Sequence, residues 1–252
     1  MRDQASESSA GIPNGVRVVL VMNRKGGAGK STLCRALASA AVARGETVTV
    51  FDTDASRSCH AWMERAKASG NWSPRIEVIH SLDAGHIAEV IAQIHEQPDQ
   101  EHLVLIDTFG GASEAQDDLA GLAHQIVCPT MLSRADLTET RATAAWYLAL
   151  GDRVADARLL PPFTVALSRV PLRISETERA IAAELFASLP AFEAFLGNRS
   201  SYLRMDEAGL LGSLADSLPN RGVAVHLQSA LQEAEALLVE IDRSILEGSR
   251  GR

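Results

Sequence analysis

Lys25-Gly26-Gly27-Ala28-Gly29-Lys30-Ser31-Thr32 packs three glycines around one alanine, ends in Lys-Ser-Thr and carries a second lysine at its front. The apolar run Val16-Arg17-Val18-Val19-Leu20-Val21-Met22 precedes it, and a helix-forming run from Leu33 to Ala43 follows. Strand, glycine loop and helix in that order are the context a phosphate-binding loop requires. Glycines let the backbone wrap around phosphate oxygens, while the loop amides and the positive helix end stabilise negative charge. Gly26, Gly27, Ala28, Gly29, Lys30, Ser31 and Thr32 are therefore expected to hold a nucleotide. Lys30 would reach the β and γ phosphates and Ser31 would ligate Mg²⁺. The ordinary spacing, G-x-x-x-x-G-K-[ST], is altered here: Gly26, Gly27 and Gly29 crowd a shorter span behind Lys25, a deviant form of the loop.

Two further runs end in acids. Thr47-Val48-Thr49-Val50-Phe51 is β-branched and aromatic, reads as a buried strand, and leads into Asp52-Thr53-Asp54. Leu103-Val104-Leu105-Ile106 leads into Asp107-Thr108, the arrangement of a strand whose terminal Asp holds Mg²⁺ through water. Any one Asp after a strand reads as a turn or helix cap. Three strand-end sites in this order point instead to one ligand-binding edge, because open parallel sheets bind ligands beyond the carboxyl ends of their strands. The fold expected is α/β, a three-layer P-loop NTPase with a mostly parallel central sheet flanked by helices.

With these motifs in place, the chain resembles the ParA/MinD family of deviant-Walker P-loop ATPases from about Val16 to the C-terminal helix. Pro129-Thr130 after the strand Gln125 to Cys128 matches the family's proline-ended strand, and Arg199-Ser200-Ser201-Tyr202 with Ala208-Gly209 is similar to a pattern in its C-terminal third. The resemblance implies that Lys25 reaches across a dimer to the partner subunit's ATP, that Lys30 and Asp54 act in catalysis with Asp54 orienting the attacking water, and that Asp52 supports a Mg²⁺ shell formed with Ser31 and the Walker B acid Asp107. Within the family the chain is similar to the VirC-type branch of T-DNA transfer, through Phe51-Asp52-Thr53-Asp54, Asn71-Trp72-Ser73-Pro74-Arg75, Asp107-Thr108-Phe109-Gly110-Gly111, Pro129-Thr130-Met131-Leu132 and Arg169-Val170-Pro171. It departs from plasmid-partition relatives at Ala55-Ser56, where they have Pro-Gln, and at Phe109-Gly110, where they have Pro-Pro. Ser168 stands where many relatives carry an Asn that reads adenine. A serine can still hydrogen-bond a base edge, so Ser168 joins the expected nucleotide contacts, with the adenine preference resting on resemblance.

At 252 residues and 46% apolar content, one large domain over 16–252 is the natural reading. Residues 1–15, rich in Ser, Gly and charge, read as a disordered tail with no room for a helix-turn-helix domain. No apolar run approaches the roughly 18 residues of a membrane span, and no export signal opens the chain. A cytoplasmic bacterial protein without membrane insertion is expected, and the resemblance adds a nucleoid-associated or polar position. Cys34, Cys59 and Cys128 form no Cys-x-x-Cys pair; Cys34 and Cys128 read as small core residues. The histidines show no metal-binding spacing beyond the expected Mg²⁺. Trp62 and Trp146 read as packing residues, whereas Trp72, in the turn Gly70 to Pro74, is expected to be exposed. Helices are expected over Arg57 to Ala68, over Ala84 to His95, from the capping box Ser175-Glu176-Thr177-Glu178 to Ala187, and amphipathically over Val223 to Leu246.

A formal charge of −8 opposes general attraction to nucleic acid but not a local basic patch. Arg169, Arg173, Arg199, Arg204 and Arg221 fall in the second half of the chain. On one face they would bind DNA; paired with Glu176, Glu178, Glu184, Asp206 and Glu207 they would be ordinary surface charge. The function expected is a slow ATPase using ATP and Mg²⁺. It would form a homodimer on ATP binding and position or recruit DNA, in a transfer complex or a plasmid, with a relaxosome or partition partner. A scaffold for a protein cargo without DNA contact is the alternative, and a small-molecule synthetase a third.

Overall fold

The computed structural model describes residues 15–97, 101–111, 114–154, 156–219 and 221–250; nearly all of the expected N-terminal tail lies outside them. Six strands, β1 Val16–Val21, β2 Thr47–Asp52, β3 Ile76–His80, β4 His102–Asp107, β5 Gln125–Thr130 and β6 Phe163–Leu167, form one sheet in the order β3-β2-β4-β1-β5-β6. Every pairing among them is parallel. A parallel sheet must be covered on both faces, and so its central strands read as unbroken apolar runs. The alternation of side chains divides them between two cores. Val19, Val21, Val48, Val50, Leu103 and Leu105 face one layer, and Val18, Leu20, Phe51, Val104 and Ile106 face the other.

The first layer holds α1 Lys30–Ala43, α2 Ser58–Ala68, α7 Ser200–Ala208, α8 Leu211–Ser217 and α9 Arg221–Arg250. The second holds α3 Ala84–His95, α4 Glu114–Leu122, α5 Arg134–Gly151 and α6 Glu176–Ser188. The three-layer α/β P-loop fold expected from the sequence is the fold found. The capping box at Ser175 and Glu178 forms as expected, and Asp83 caps α3 by accepting from Gly85 N at 2.8 Å.

α9 is the expected amphipathic helix, but its acids are not all solvated. Asp242 is 1% exposed, with Oδ1 2.6 Å from Arg17 on β1 and Oδ2 3.0 Å from Arg44. Arg17 also pairs with Glu46. Burial works against the charged Arg17 guanidinium, yet Asp242 and Glu46 outweigh it and hold its pKa above the ordinary value. This closed set of charges fastens the C-terminal helix to the end of the sheet opposite the phosphate loop.

Two features differ from the sequence reading. β3, absent from it, is a short edge strand carrying exposed Glu77; a charge in a short apolar run blunts an edge and hides its periodicity. Trp72 is half-buried against the α-helical core, its ring edge-on to Trp62 at 5.0 Å, because apolar ring area gains more from packing than the turn loses by folding inward. The opposite edge, β6, is covered by the following segment: Val165 N donates to Pro190 O at 2.8 Å and Leu196 N to Leu167 O at 3.0 Å.

Candidate active site

β1 delivers the chain to the phosphate loop at the carboxyl edge of the sheet. Gly27 and Gly29 adopt φ of 77° and 96°, conformations that cost glycine little and other residues more. A Cβ built on Gly26 or Gly27 would meet nothing within 4 Å, so the loop's hollow is open to a ligand. No side chain caps the start of α1, leaving its first amides available to an anion. Lys30 is buried, with Nζ 3.1 Å from both the Asn23 and Lys25 carbonyls. Burial pushes its pKa down, against the pull of Asp107 and Asp54.

The strand register sets the acids. Asp107 of β4 stands opposite Val21 of β1 on one side and Asp52 of β2 on the other. Asp107 is fully buried. Its Oδ2 accepts from the Cys59 thiol at 3.2 Å, while Oδ1 is buried with no hydrogen-bond partner among the described residues. Burial raises its pKa to about 6, with Ser31 and Cys59 working the other way. A buried carboxylate oxygen without a partner is costly, and a divalent cation or its bound water satisfies it. Mg²⁺ suits such a place, since it takes one or two carboxylates together with substrate phosphates. Ser31 is close by, its hydroxyl accepting from Ser58 at 3.1 Å. The donor set thus fits the expected cation.

Asp52 is spent differently. One oxygen accepts from Cys59 N at 2.7 Å and His60 N at 3.1 Å, and the other from Asp54 N at 3.2 Å. It fixes the start of α2 and the turn that carries Asp54. Asp54 is half-buried, accepts from Ser56 N at 2.8 Å, and lines a cavity of about 300 Å³ with Leu82, Ile87, Phe109 and Leu119. Lys25 Nζ lies 2.7 Å from Asp136 Oδ1 at the start of α5. Gly110 packs so near the loop that a Cβ there would lie 3.2 Å from Gly26 N.

Ser168, at the end of β6, turns its hydroxyl to the carbonyls of Ala28 and Thr130, each at 3.3 Å, bracing the phosphate loop from behind. It also lines a cleft of about 370 Å³, together with Gly29, Thr32, Arg169, Arg199 and Tyr202 among others. That volume and its continuity with the loop suit the rest of a nucleotide.

Of the five arginines, Arg169 and Arg199 meet at this cleft. Arg204 lies on α7 beside a separate groove with Leu203, Leu214 and Leu227, and Arg173 and Arg221 are exposed. Three of the five acids expected to neutralise them are otherwise engaged: Asp206 by Arg35 and Arg65, Glu184 by Arg134 and Arg141, Glu178 by Ser175. Among the described residues only Arg199 of the five has an ion pair, with Glu233 at 2.7 Å. Asn23, Cys59, Ser58 and Asp136 were not singled out from the sequence. Only Asp136 carries a local signal, Ser133 with an acid three positions on at a helix start.

Fold and site define a ParA-like P-loop ATPase. The sequence model of the VirC1 protein matches residues 16–248, and the chain belongs to that family. The VirC1 protein of Rhizobium radiobacter is 32% identical over 187 residues, 74% of this chain and 79% of that protein. Among solved structures, pNOB8 ParA aligns with a TM-score of 0.63 at 18% identity, covering 94% of this chain and 99% of its own. The septum site-determining protein MinD of Pyrococcus horikoshii, complexed with Mg-ADP, aligns at 0.59 and 16% identity over 90% of this chain and 98% of that one. Among the described residues no helix is long and apolar enough to cross a membrane, and no group of three or more His, Cys, Asp or Glu side chains forms a further metal site.

Proposed function

We propose that this protein is a Mg²⁺-dependent ATPase that closes as a homodimer on binding ATP, binds DNA in that form, and positions a DNA-transfer complex or plasmid in the bacterial cytoplasm. The observation that carries the reading is the unpartnered, buried Asp107 Oδ1 beside Ser31, beneath an open glycine loop holding a buried Lys30.

Ser31 and, through water, Asp107 hold Mg²⁺, which when bound neutralises charge on the β and γ phosphates. The loop amides of Gly27 to Ser31 and the Lys30 ammonium bind the phosphate oxygens. Asp54, fixed through its backbone by Asp52, orients the attacking water. Lys25 exchanges its ion pair with Asp136 for the phosphates of the partner subunit's nucleotide, so that closure and nucleotide binding are linked. Slow hydrolysis removes the γ phosphate and reopens the dimer. DNA must bind the closed dimer better than the monomer, or ATP shifts nothing. Arg169, Arg173, Arg204 and Arg221, unpaired among the described residues, are available to phosphate even though the chain as a whole is acidic.

The protein-cargo scaffold draws support from the groove of Leu203, Ala208, Leu214, Leu218 and Leu227, with Leu203 68% exposed. Retention on non-specific duplex DNA with ATP, with ADP and with neither, over a range of salt, separates the two. Retention that needs ATP and falls steeply with salt supports the DNA switch; no retention in any state leaves the scaffold. In parallel, Lys25→Ala should lose ATP-dependent dimerisation in sedimentation, and an unchanged dimer would sink the switch.

A further inference from the structure

The C-terminal helix reaches the nucleotide cleft through one side chain. Glu233 of α9 accepts from Gly197 N at 3.0 Å, from Arg199 Nε at 2.7 Å and from the Tyr202 hydroxyl at 2.9 Å. All three donors belong to residues that line the cleft beside the phosphate loop. Gly197 approaches so closely that a Cβ there would lie 3.1 Å from Glu233 Oε1. Seven positions along α9, Glu240 accepts from Glu193 N at 2.8 Å and Ala194 N at 3.0 Å, fixing the beginning of the same segment.

This bracing leaves Arg199 half committed. Its Nε is held by Glu233, while its terminal nitrogens have no partner among the described residues. A guanidinium offers five N–H donors in a rigid fork, so four remain for a ligand. The opposing acid in the cleft, Asp206, is already neutralised by Arg35 and Arg65, and Arg169 has no ion pair among the described residues. The cleft is therefore electropositive, as an anionic ligand requires. Tyr202, pushed well above its ordinary pKa by burial and then by Glu233, stays a hydroxyl donor and holds the carboxylate in place.

Resting on the nucleotide-switch reading, we propose that Glu233 is a positioning residue for nucleotide binding: it orients Arg199 to contact the nucleoside end of the nucleotide whose phosphates occupy the Gly26 to Thr32 loop. Arg199 then belongs to nucleotide recognition and not to the DNA-contacting set. A fork already tethered by one nitrogen loses less freedom on meeting its ligand than a free side chain. The C-terminal helix thereby becomes part of the nucleotide site.

The test measures displacement of an N-methylanthraniloyl ADP probe by ATP and, separately, by inorganic tripolyphosphate, which fills the loop and not the cleft. Glu233→Ala and Arg199→Ala should each weaken ATP by about tenfold or more, the loss of a charge-assisted hydrogen bond, and leave tripolyphosphate unchanged. Glu233→Gln, with one acceptor oxygen kept, should fall between. The double variant should be no worse than the worse single one. ATP affinity equal to wild type in Arg199→Ala, or an equal loss for tripolyphosphate, would overturn the proposal; so would Arg199→Ala losing DNA retention with ATP affinity intact. Should Glu233→Ala not fold, Arg199→Ala alone decides. Lys30→Ala distinguishes failure of the underlying reading: if wild type and Lys30→Ala bind ATP and tripolyphosphate alike, the loop is not a phosphate site at all.

Discussion

Replacing Asp107 by Asn should make the nucleotide-free protein gain stability relative to wild type as pH rises, at the expense of its cation site. Burial lifts the Asp107 carboxyl from 3.8 to about 6. A folded-state pKa above the unfolded one means that the acid's contribution to stability is present below about 4 and is lost as pH rises through about 6. At 1.36 kcal/mol per pKa unit the loss is about 3 kcal/mol. Asn carries no titrating group, but its amide puts a donor where Oδ1 had no partner, a pH-independent cost of about 1–3 kcal/mol. The difference in unfolding free energy between variant and wild type should therefore change by about 2–3 kcal/mol in the variant's favour between about pH 4 and pH 7.5, with the change centred at about pH 5, midway between the two values, and complete above about 6. Urea unfolding curves of both proteins across that range, without Mg²⁺ or nucleotide, provide the measurement. Other groups titrate in both proteins and cancel. On adding Mg²⁺ and ATP the wild type should be stabilised and the variant much less. A difference that does not vary with pH would refute the argument that Asp107 is held ionised at a cost by burial.

Asp242→Ala should cost about 2–4 kcal/mol in urea, since it leaves Glu46 alone to compensate the buried Arg17 and Arg44; a loss below about 1 kcal/mol would mean that solvent reaches the cluster. His102 is pushed down to about 4, by burial first and then by Arg17 and His95, so its contribution is present above about 6.5 and is lost as pH falls towards 4. Relative to His102→Gln, the wild type should lose about 2 kcal/mol over that interval after allowing for solvent screening, and parallel pH–stability curves would contradict this. Gly110→Ala places a Cβ 3.2 Å from Gly26 N and 3.3 Å from the Arg24 carbonyl. It should weaken binding of the ADP probe by about threefold or more through a displaced loop while leaving circular dichroism intact, and unchanged affinity would show that the loop yields freely.

The sequence by itself determined the parts whose chemistry lies within a few consecutive residues. Gly26 to Thr32 between an apolar run and a helical one announces a phosphate loop because the amides, glycines and Lys30 that it needs are covalent neighbours. The acids at the ends of β2 and β4 were legible for the same reason, a strand pattern that stops at a carboxylate, and with them the parallel layered fold. Which partner each charged group takes was decided only by tertiary structure. Asp52 looks like Asp107 in the sequence, yet its oxygens are taken by the backbone amides that start α2, whereas Asp107 keeps one oxygen unpartnered. Lys25 meets Asp136 across 111 positions and Arg199 meets Glu233 across 34; Trp72 folds in against Trp62, and Ser168, while lining the cleft, also turns its hydroxyl to the Ala28 and Thr130 carbonyls. A side chain in a low-dielectric interior goes to whichever partner the packing of layers brings within reach, and that geometry leaves no mark in the residues on either side of it.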